Sequence, residues 1–182
     1  MPTNALSNPL VLPILGLLAE QPRHAYGIFN ELRSRYVYAG VRNATVYTLL
    51  NTLVESGLLR TRAGTSHQRE FMLTASGRRG LAERVSRELQ DGDLVDRGAF
   101  LTALAYVGIL TPESASLTLQ ARADRLRLEE TRLRRTIDET AELPELHMIE
   151  THFYLDQIVL ERTWLEAAIG RIQSGELPWP AK

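Results

Sequence analysis

The first ninety residues alternate between apolar stripes of helical spacing and short polar breaks. This pattern predicts three short helices, a two-stranded hairpin and a fourth helix. Asn8 and Pro9 favour the start of the first helix, although Pro13 is also compatible with a later start. Gln21-Pro22 ends this helix, and a second is expected from about His24 to Tyr36. The inward stripe of the second helix is predicted to comprise Tyr26, Phe29 and Leu32.

The third helix has the clearest signals of the chain. Asn43 is a favourable N-cap, and Gly57 suits the left-handed position that follows a helix. Two extended runs, at residues 58–62 and 69–73, flank a polar tip and predict a hairpin. Thr74 then caps a further helix that continues to about residue 90. The apolar stripe of the third helix comprises Val46, Leu49, Leu50, Leu53 and Val54.

The second half of the chain carries helical patterns only. Asp91-Gly92-Asp93 marks the expected boundary between a domain at residues 1–90 and a helical domain at residues 91–182. One helix is expected over Leu94–Leu110, and Thr111-Pro112 starts the next. That next helix carries a heptad-like series at Leu119, Ala123, Leu126, Glu130, Leu133, Ile137 and Thr140.

The last helix, from about Glu145 to Ser174, carries two apolar stripes. A helix with two wide apolar faces needs two partners. One partner is its long neighbour, and a second copy of the chain is preferred as the other, which predicts a homodimer. Burial inside a monomer is the alternative. One stripe comprises Leu146, Ile149, Phe153, Leu160 and Trp164. The other comprises Leu155, Ile158, Leu165, Ile169 and Ile172.

Composition narrows the function classes. Of the 182 residues, 44% are apolar and 24% are charged, which is ordinary for a soluble globular protein. The absence of cysteine excludes disulfide frameworks and thiolate zinc sites. The longest apolar stretch, residues 9–19, is too short for a bilayer span of about 20 residues. No basic cluster precedes it, so we expect a cytoplasmic protein without a membrane partner.

Charge is divided unequally between the two halves. Residues 1–90 contain 11 Arg and 6 Glu, a net charge of +5, whereas residues 91–182 have a net charge of −6. A basic half suggests an anionic partner, although compositional scatter also produces such a difference. Lys182 is the only lysine, and arginine provides fork-shaped donors for phosphates and base edges.

The predicted order of three helices and a two-stranded wing is that of a winged helix-turn-helix, followed here by an all-helical C-terminal dimerisation domain in a mainly α chain. In that fold the third helix enters the major groove of DNA and the wing lies against the backbone. Asparagine pairs with adenine, and Ser, Thr and Tyr reach phosphates. A winged helix that binds protein is the alternative. The outer face of the third helix presents Asn43, Thr45, Tyr47, Thr48 and Asn51, and the wing presents Arg60, Arg62 and Arg69.

Three motifs resemble the PadR-like transcriptional regulators. Residues 14–18 (ILGLL) and 22–28 (PRHAYGI) are similar to the opening of that family, and residues 43–47 (NATVY) with 55–59 (ESGLL) are similar to its recognition helix. Residues 69–77 (REFMLTASG) resemble the end of its wing. A looser match, residues 161–165 (ERTWL), is similar to the ending of the longer subgroup with a helical dimerisation domain.

The resemblance implies a homodimeric repressor that binds an inverted-repeat operator in double-stranded DNA and is released by a small aromatic or drug-like effector. It places His24 and Tyr26 near the DNA, beside the recognition helix and the wing. Thr48, Ala25 and Val54 depart from the family pattern, and Asn51 and Thr52 occupy places that are often basic. The full candidate set for DNA is His24, Tyr26, Arg42, Asn43, Thr45, Tyr47, Thr48, Asn51, Arg60, Arg62, Thr65, Ser66, His67, Gln68 and Arg69.

Other chemistry has weak support in the sequence. Phe153 and Trp164 are candidate effector-binding residues, since aromatic rings stack flat ligands, but packing in a core or a dimer is the more ordinary role. His152 and Asp156 have the spacing of two metal ligands without a third. The chain has no glycine-rich phosphate loop and no nucleophile elbow. We therefore expect no metal, no cofactor and no enzymatic activity.

Overall fold

The computed structural model describes residues 6–36, 42–64 and 69–180, which form two compact units. The first unit contains the described residues of Met1–Glu88 together with Gly98–Ile109. The second contains Leu89–Arg97 and the described residues from Leu110 onward. The expected boundary lay between residues 90 and 91, so the assignment of Gly98–Ile109 to the first unit is a feature that the sequence pattern did not predict.

Helices α1–α3 of the first unit follow the predicted pattern, with one correction. In α2, the buried residues are Ala25, Ile28 and Leu32, whereas Tyr26 is 58% exposed and Phe29 is half-buried. The predicted inward stripe was therefore wrong for both aromatic residues, because packing within the unit buries the face of Ala25, Ile28 and Leu32 instead. The helices are α1 (Val11–Glu20), α2 (Ala25–Arg35), α3 (Asn43–Glu55) and α4 (Ala75–Asp91).

The wing is part of a three-stranded antiparallel sheet, where the sequence predicted two strands. The strands are β1 (Arg23–His24), β2 (Leu59–Ala63) and β3 (Arg69–Leu73), in the order β1-β3-β2. The register pairs Arg62 with Glu70 and Ala63 with Arg69. Two-residue β1 pairs with β3 through His24 and Glu70, and it is too short to leave an alternating pattern in the sequence.

The wing and α4 are tied to the end of α3 through one hydroxyl. Thr74 Oγ1 accepts a hydrogen bond from the Gly77 amide at 2.9 Å, as the predicted cap of α4. The same atom lies 2.8 Å from the carbonyl oxygen of Gly57, to which it donates. Gly57 has the predicted positive φ, of 74°. Thr74 therefore connects the end of the recognition-helix candidate to the start of α4.

The predicted helix over Leu94–Leu110 is interrupted. It consists of α5 (Arg97–Ala105) and a short 3-10 helix (Val107–Ile109). Phe100 and Ala103 of α5 are buried within the first unit. The first unit is therefore a winged helix completed by a segment from further along the chain.

The second unit is a pair of long helices. Helix α6 (Pro112–Glu139) begins at the predicted cap Thr111, and a 3-10 helix (Glu145–Met148) precedes α7 (Ile149–Gln173). The heptad-like series is confirmed in its apolar positions, of which Leu119, Ala123, Leu126 and Leu133 are buried. Both α6 and α7 bury an apolar face in the second unit, and the buried residues of α7 are Leu155, Ile158, Leu165, Ile169 and Ile172.

Among the described residues, no helix is long and apolar enough to cross a membrane.

Candidate nucleic-acid interface

Helix α3 separates an aliphatic inner face from a polar outer face. Val46, Leu49, Leu50 and Leu53 are buried. The predicted outer residues differ in exposure. Thr45 is half-buried at the edge of this face, while the others are exposed, namely Asn43, Tyr47, Thr48 and Asn51. The exposed set contains amide and hydroxyl groups but no cation, and Glu55 is the only charged residue of the helix.

The Thr48 hydroxyl and the N-terminus of α3 differ in whether their hydrogen-bonding groups remain free to bind a ligand. The hydroxyl of Thr48 donates to the carbonyl oxygen of Ala44 at 3.0 Å, so its donor is already used within the helix. Arg42, not Asn43, occupies the N-cap position and makes no side-chain cap bond. The first amides of α3 therefore lack a side-chain acceptor, and Arg42 adds an exposed guanidinium beside them.

The strand register divides the wing arginines between two faces. Arg60 and Arg62 lie on the outer face of β2, opposite Met72 and Glu70 of β3. Arg62 Nε binds Glu70 Oε2 at 2.9 Å, whereas no ion pair is found for Arg60 among the described residues. Arg69 lies on the same face as buried Phe71, with its guanidinium carbon 5.3 Å from the ring centroid. Thr65, Ser66, His67 and Gln68, at the predicted tip, lie outside the described residues.

His24 has a structural role at the start of α2. Its Nδ1 accepts a hydrogen bond from the Gly27 amide at 3.0 Å, which makes His24 the N-cap of the helix. The side chain is half-buried, so only part of it remains for other contacts.

The exposed face of α2 includes residues that the sequence reasoning missed. Tyr26 lies 6.4 Å from Phe29 between ring centroids, and the guanidinium carbon of Arg33 lies 5.6 Å from the Phe29 centroid. The spacing of these three residues, three and then four positions apart, was the available signal for one shared face. Arg33 is therefore a further exposed cation beside Tyr26.

Other arginines of the first unit are neutralised at short range. Arg23 and Arg35 share the carboxylates of Glu20 and Glu31, with the Arg35–Glu20 contact at 2.6 Å. The bond to Glu20 raises the pKa of the Arg35 guanidinium. Within the part of the chain that the structure describes, Arg42, Arg60 and Arg69 are among the arginines that lack such carboxylate partners. Arg33 on α2 and Arg78, Arg79, Arg84 and Arg87 on α4 also form no ion pair among the described residues, so the unpaired positive charge of the first half lies beside α3, on the wing and along α2 and α4.

The two candidate effector residues lie on the surface of the single chain. Phe153 is 64% exposed and Trp164 is 51% exposed on one face of α7. A cavity of about 480 Å³ lies elsewhere in the second unit, between the start of α6 and the end of α7. Neither aromatic residue lines it. The cavity lining consists of Pro112, Glu113, Ser116, Leu117, Gln120, Ile172 and Gln173.

The described residues contain no group of three or more metal-ligating side chains. His152 and Asp156, the pair with ligand spacing, lie on α7 without a third candidate.

Comparison with known proteins assigns the N-terminal part of the chain. The model of the transcriptional regulator PadR-like family matches residues 14–83, which contain α1, α2, α3 and the sheet. No curated protein matches the chain closely enough to count as a relative.

Solved structures resemble the chain only distantly. Bacillus subtilis PadR in complex with operator DNA is 18% identical, with 90% of this chain and 98% of that chain covered and a TM-score of 0.42. The same protein in complex with p-coumaric acid is 19% identical, with 91% and 96% covered and a TM-score of 0.40. The PadR-like regulator BC1756 from Bacillus cereus is 13% identical, with 91% and 98% covered and a TM-score of 0.41.

The assignment rests on the family model and on the fold that it covers. The matched segment includes all three motifs, at residues 14–28, 43–59 and 69–77. These segments contain most of α1, β1 and the start of α2, then all of α3, and finally β3 with the start of α4. Residues 14–83 therefore match the PadR-like family of transcriptional regulators.

Proposed function

We propose that the chain is a sequence-specific DNA-binding regulator that acts as a homodimeric repressor and releases its operator when a small molecule binds. The observation that carries the proposal is the exposed face of α3. This face presents Tyr47 and Asn51 to solvent, and the arginines beside it, Arg42, Arg60 and Arg69, have no carboxylate partner among the described residues. Helix α3 enters the major groove, where Asn51 reads a base edge.

The phosphate contacts come from outside α3. Since α3 contains no cation, Arg42 at its N-terminus and the wing arginines supply the attraction to the backbone. Arg69 stacks on Phe71, which holds its guanidinium at the edge of the sheet. The specific and the non-specific parts of binding are therefore carried by different elements, α3 for the bases and the wing for the phosphates.

The homodimer forms through the exposed stripe of α7. Ile149, Phe153, Leu160 and Trp164 are all more than half exposed and lie on the face opposite the buried stripe. An apolar face of this length on a single helix is unusual on a monomer and marks an interaction site. A two-fold arrangement of the same stripe gives a self-complementary interface. Binding to successive major grooves requires such a dimer to hold its two α3 helices about 34 Å apart.

An effector that binds at Phe153 and Trp164 acts through the dimer. These residues belong to the proposed interface, so a flat ligand stacked on them changes the separation of the two recognition helices. We use p-coumaric acid, which is bound by Bacillus subtilis PadR in a solved structure, as the first probe. It is expected to weaken operator binding by the chain and to leave Trp164→Leu insensitive. An equal response of both proteins removes Trp164 from the effector site.

The first experiment measures fluorescence anisotropy of labelled DNA, with the intergenic fragment upstream of the coding gene and a random fragment of equal length. A specific regulator binds the first fragment more tightly, and the difference survives added salt, because base contacts do not release counterions. Equal binding to both fragments at all salt concentrations contradicts specific recognition. Repression predicts that deletion of the gene raises transcription from the bound promoter, whereas a fall would indicate activation.

The dimer is tested with Leu160→Asp, which places a charge in the middle of the stripe. We expect a monomer by light scattering and a large loss of operator affinity without unfolding, because two linked heads bind far more tightly than one. Leu117→Asp on α6 is the matched control, since Leu117 is equally exposed, at 74%, but lies outside the stripe. A Leu160→Asp protein that remains dimeric would exclude this interface.

A further inference from the structure

Tyr36 and Tyr106 form a buried contact within the first unit. Tyr36 directly follows α2, and Tyr106 lies between α5 and the 3-10 helix. Their hydroxyl oxygens are 2.7 Å apart, and the two residues are 6% and 9% exposed. The contact joins residues seventy positions apart, so the winged-helix motif, which ends near residue 90, does not include it.

The surface of α1 is shaped to receive the Tyr106 ring. A Cβ at Gly16 would overlap three ring atoms of Tyr106, so the absence of a side chain at Gly16 makes room for the ring. The ring consequently packs against the α1 backbone, beside the fully buried Leu15 and Leu17. Because the ring cannot shift without leaving this site, its hydroxyl has a defined position.

The other end of the contact is the last turn of the first helix of the helix-turn-helix. Tyr36 is the C-cap of α2, and its amide donates to the carbonyl oxygen of Leu32 at 2.9 Å. Asn43, the first residue of α3, follows seven positions later. Burial and the bond to Tyr36 raise the pKa of the Tyr106 hydroxyl, so it stays protonated as a hydrogen-bonding group at physiological pH. The charges of Glu20 and Arg35 act on this pKa in opposite directions, Glu20 raising it and Arg35 lowering it.

We propose that Tyr106 is a positioning residue for DNA binding, whose hydroxyl holds Tyr36 and thereby fixes the orientation of α3 relative to α2. The proposal rests on the proposed function of α3 as the recognition helix. It makes Gly98–Ile109 a working part of the DNA-binding unit, although this segment lies outside the residues that match the family model. A small displacement of α3 weakens its hydrogen bonds to base edges more than the contacts to phosphates, because base-edge hydrogen bonds tolerate less misalignment.

The test uses Tyr106→Phe, Tyr36→Phe and the double variant in the full chain. We expect each single variant to bind the operator about threefold to tenfold more weakly, with a smaller loss on random DNA. The double variant is expected to bind no more weakly than either single variant, because both substitutions remove the same bond. Tyr154→Phe is the matched control, as its half-buried hydroxyl lies on α7 and makes no hydrogen bond among the described contacts.

Amide hydrogen exchange gives a second readout that does not depend on DNA. Tyr106→Phe is expected to speed exchange in the first turns of α3, while the amides of α1 exchange as in the unsubstituted protein. Operator affinity equal to that of the unsubstituted chain, with only a lower unfolding temperature, would overturn the proposal. If the unsubstituted chain binds no DNA, the proposed function fails instead. In that case amide hydrogen exchange alone tests whether Tyr106 positions α3. Exchange in α3 that is unchanged, or that is faster throughout the chain, overturns the proposal.

Discussion

Three arginines beside α3 and on the wing and three arginines of the α6–α7 pair have the same chemistry and opposite surroundings. On α6 and α7, Arg127, Arg134 and Arg162 each lie within 3.0 Å of a carboxylate oxygen. Beside α3 and on the wing, Arg42, Arg60 and Arg69 have no carboxylate partner in the described ranges. The arginines of α6 and α7 therefore stabilise the helix pair, while those beside α3 and on the wing keep a charge that an external phosphate can neutralise.

The comparison explains why total charge is a poor guide to this molecule. The chain has a net charge of −1, yet most of its arginines that form no ion pair among the described residues lie between residues 33 and 87. Several acidic residues of the second half form ion pairs within it, as Glu130 illustrates by binding both Arg134 and Arg162. Electrostatic function depends on which charges remain unpaired.

The largest expected effect comes from breaking the most buried pair. Arg122 has a fully buried side chain and lies 2.7 Å from Glu161, which also binds Arg97. Glu161→Ala leaves two guanidinium groups without their carboxylate, and we expect a loss of about 3–5 kcal/mol in the free energy of unfolding. Urea denaturation measures it. Glu176→Gln, which breaks the exposed Arg171–Glu176 contact, is the control, with an expected change below about 0.5 kcal/mol.

The next effect concerns the unpaired cations. Arg60→Ala combined with Arg69→Ala is expected to weaken binding to operator and random DNA alike by about tenfold, and to lower the salt slope by about two. Anisotropy titrations across a salt series measure both quantities. Arg132→Ala combined with Arg134→Ala removes two paired arginines of α6 and should leave both unchanged. Equal losses in the two double variants would contradict the distinction between paired and free arginines.

A smaller and more selective effect is expected on α3. Asn51→Ala removes an exposed amide from its outer face, and we expect the preference for the operator over random DNA to fall by about 1–3 kcal/mol. Binding to random DNA should be almost unaffected, which separates this variant from the arginine variants. Gln90→Ala, an exposed amide on α4, is the control. Parallel losses on both DNA fragments would remove Asn51 from base recognition.

The smallest effect is the pH dependence of the α6–α7 pair. Hydrogen bonds from Arg134 and Arg162 lower the pKa of Glu130, and the bond from Arg162 lowers the pKa of Glu166. A lowered pKa in the folded state means stabilisation that is present above about pH 4.5 and is lost as the pH falls through the folded value. Because these pairs lie at a partly solvated surface, each contributes about 1 kcal/mol or less. Arg162→Met is expected to make the free energy of unfolding fall less steeply as the pH is lowered, as measured by denaturant unfolding at a series of pH values. An unchanged pH dependence would show that other carboxylates cause it.

Much of the fold could be predicted from local signals. Thr74 and Thr111 cap the helices that they were expected to cap, because a hydroxyl at an N-cap acts on amides two or three residues away. The positive φ of Gly57 was predicted for the same reason. The split of α7 into two apolar stripes also followed from spacing alone, and one stripe is buried while the other is exposed.

The errors concern elements whose environment is not local. In α2, Tyr26 and Phe29 satisfied a helical stripe as well as Ile28 did, and only packing against the rest of the unit selected Ile28. Strand β1 contains two residues and depends entirely on its pairing with β3. The candidate DNA residues on α3 were placed on its exposed face by periodicity, but the Thr48 bond to Ala44 was not foreseeable from residue type.

The sequence by itself determined the order of the helices, the position of the wing and the family of residues 14–83, because each follows from signals within a few residues or from a contiguous motif. Only the tertiary structure decided which arginines are paired, and that Gly98–Ile109 completes the first unit through Tyr106, Tyr36 and Gly16. These properties depend on contacts between residues far apart in the chain, and a linear pattern does not record which distant side chains will meet.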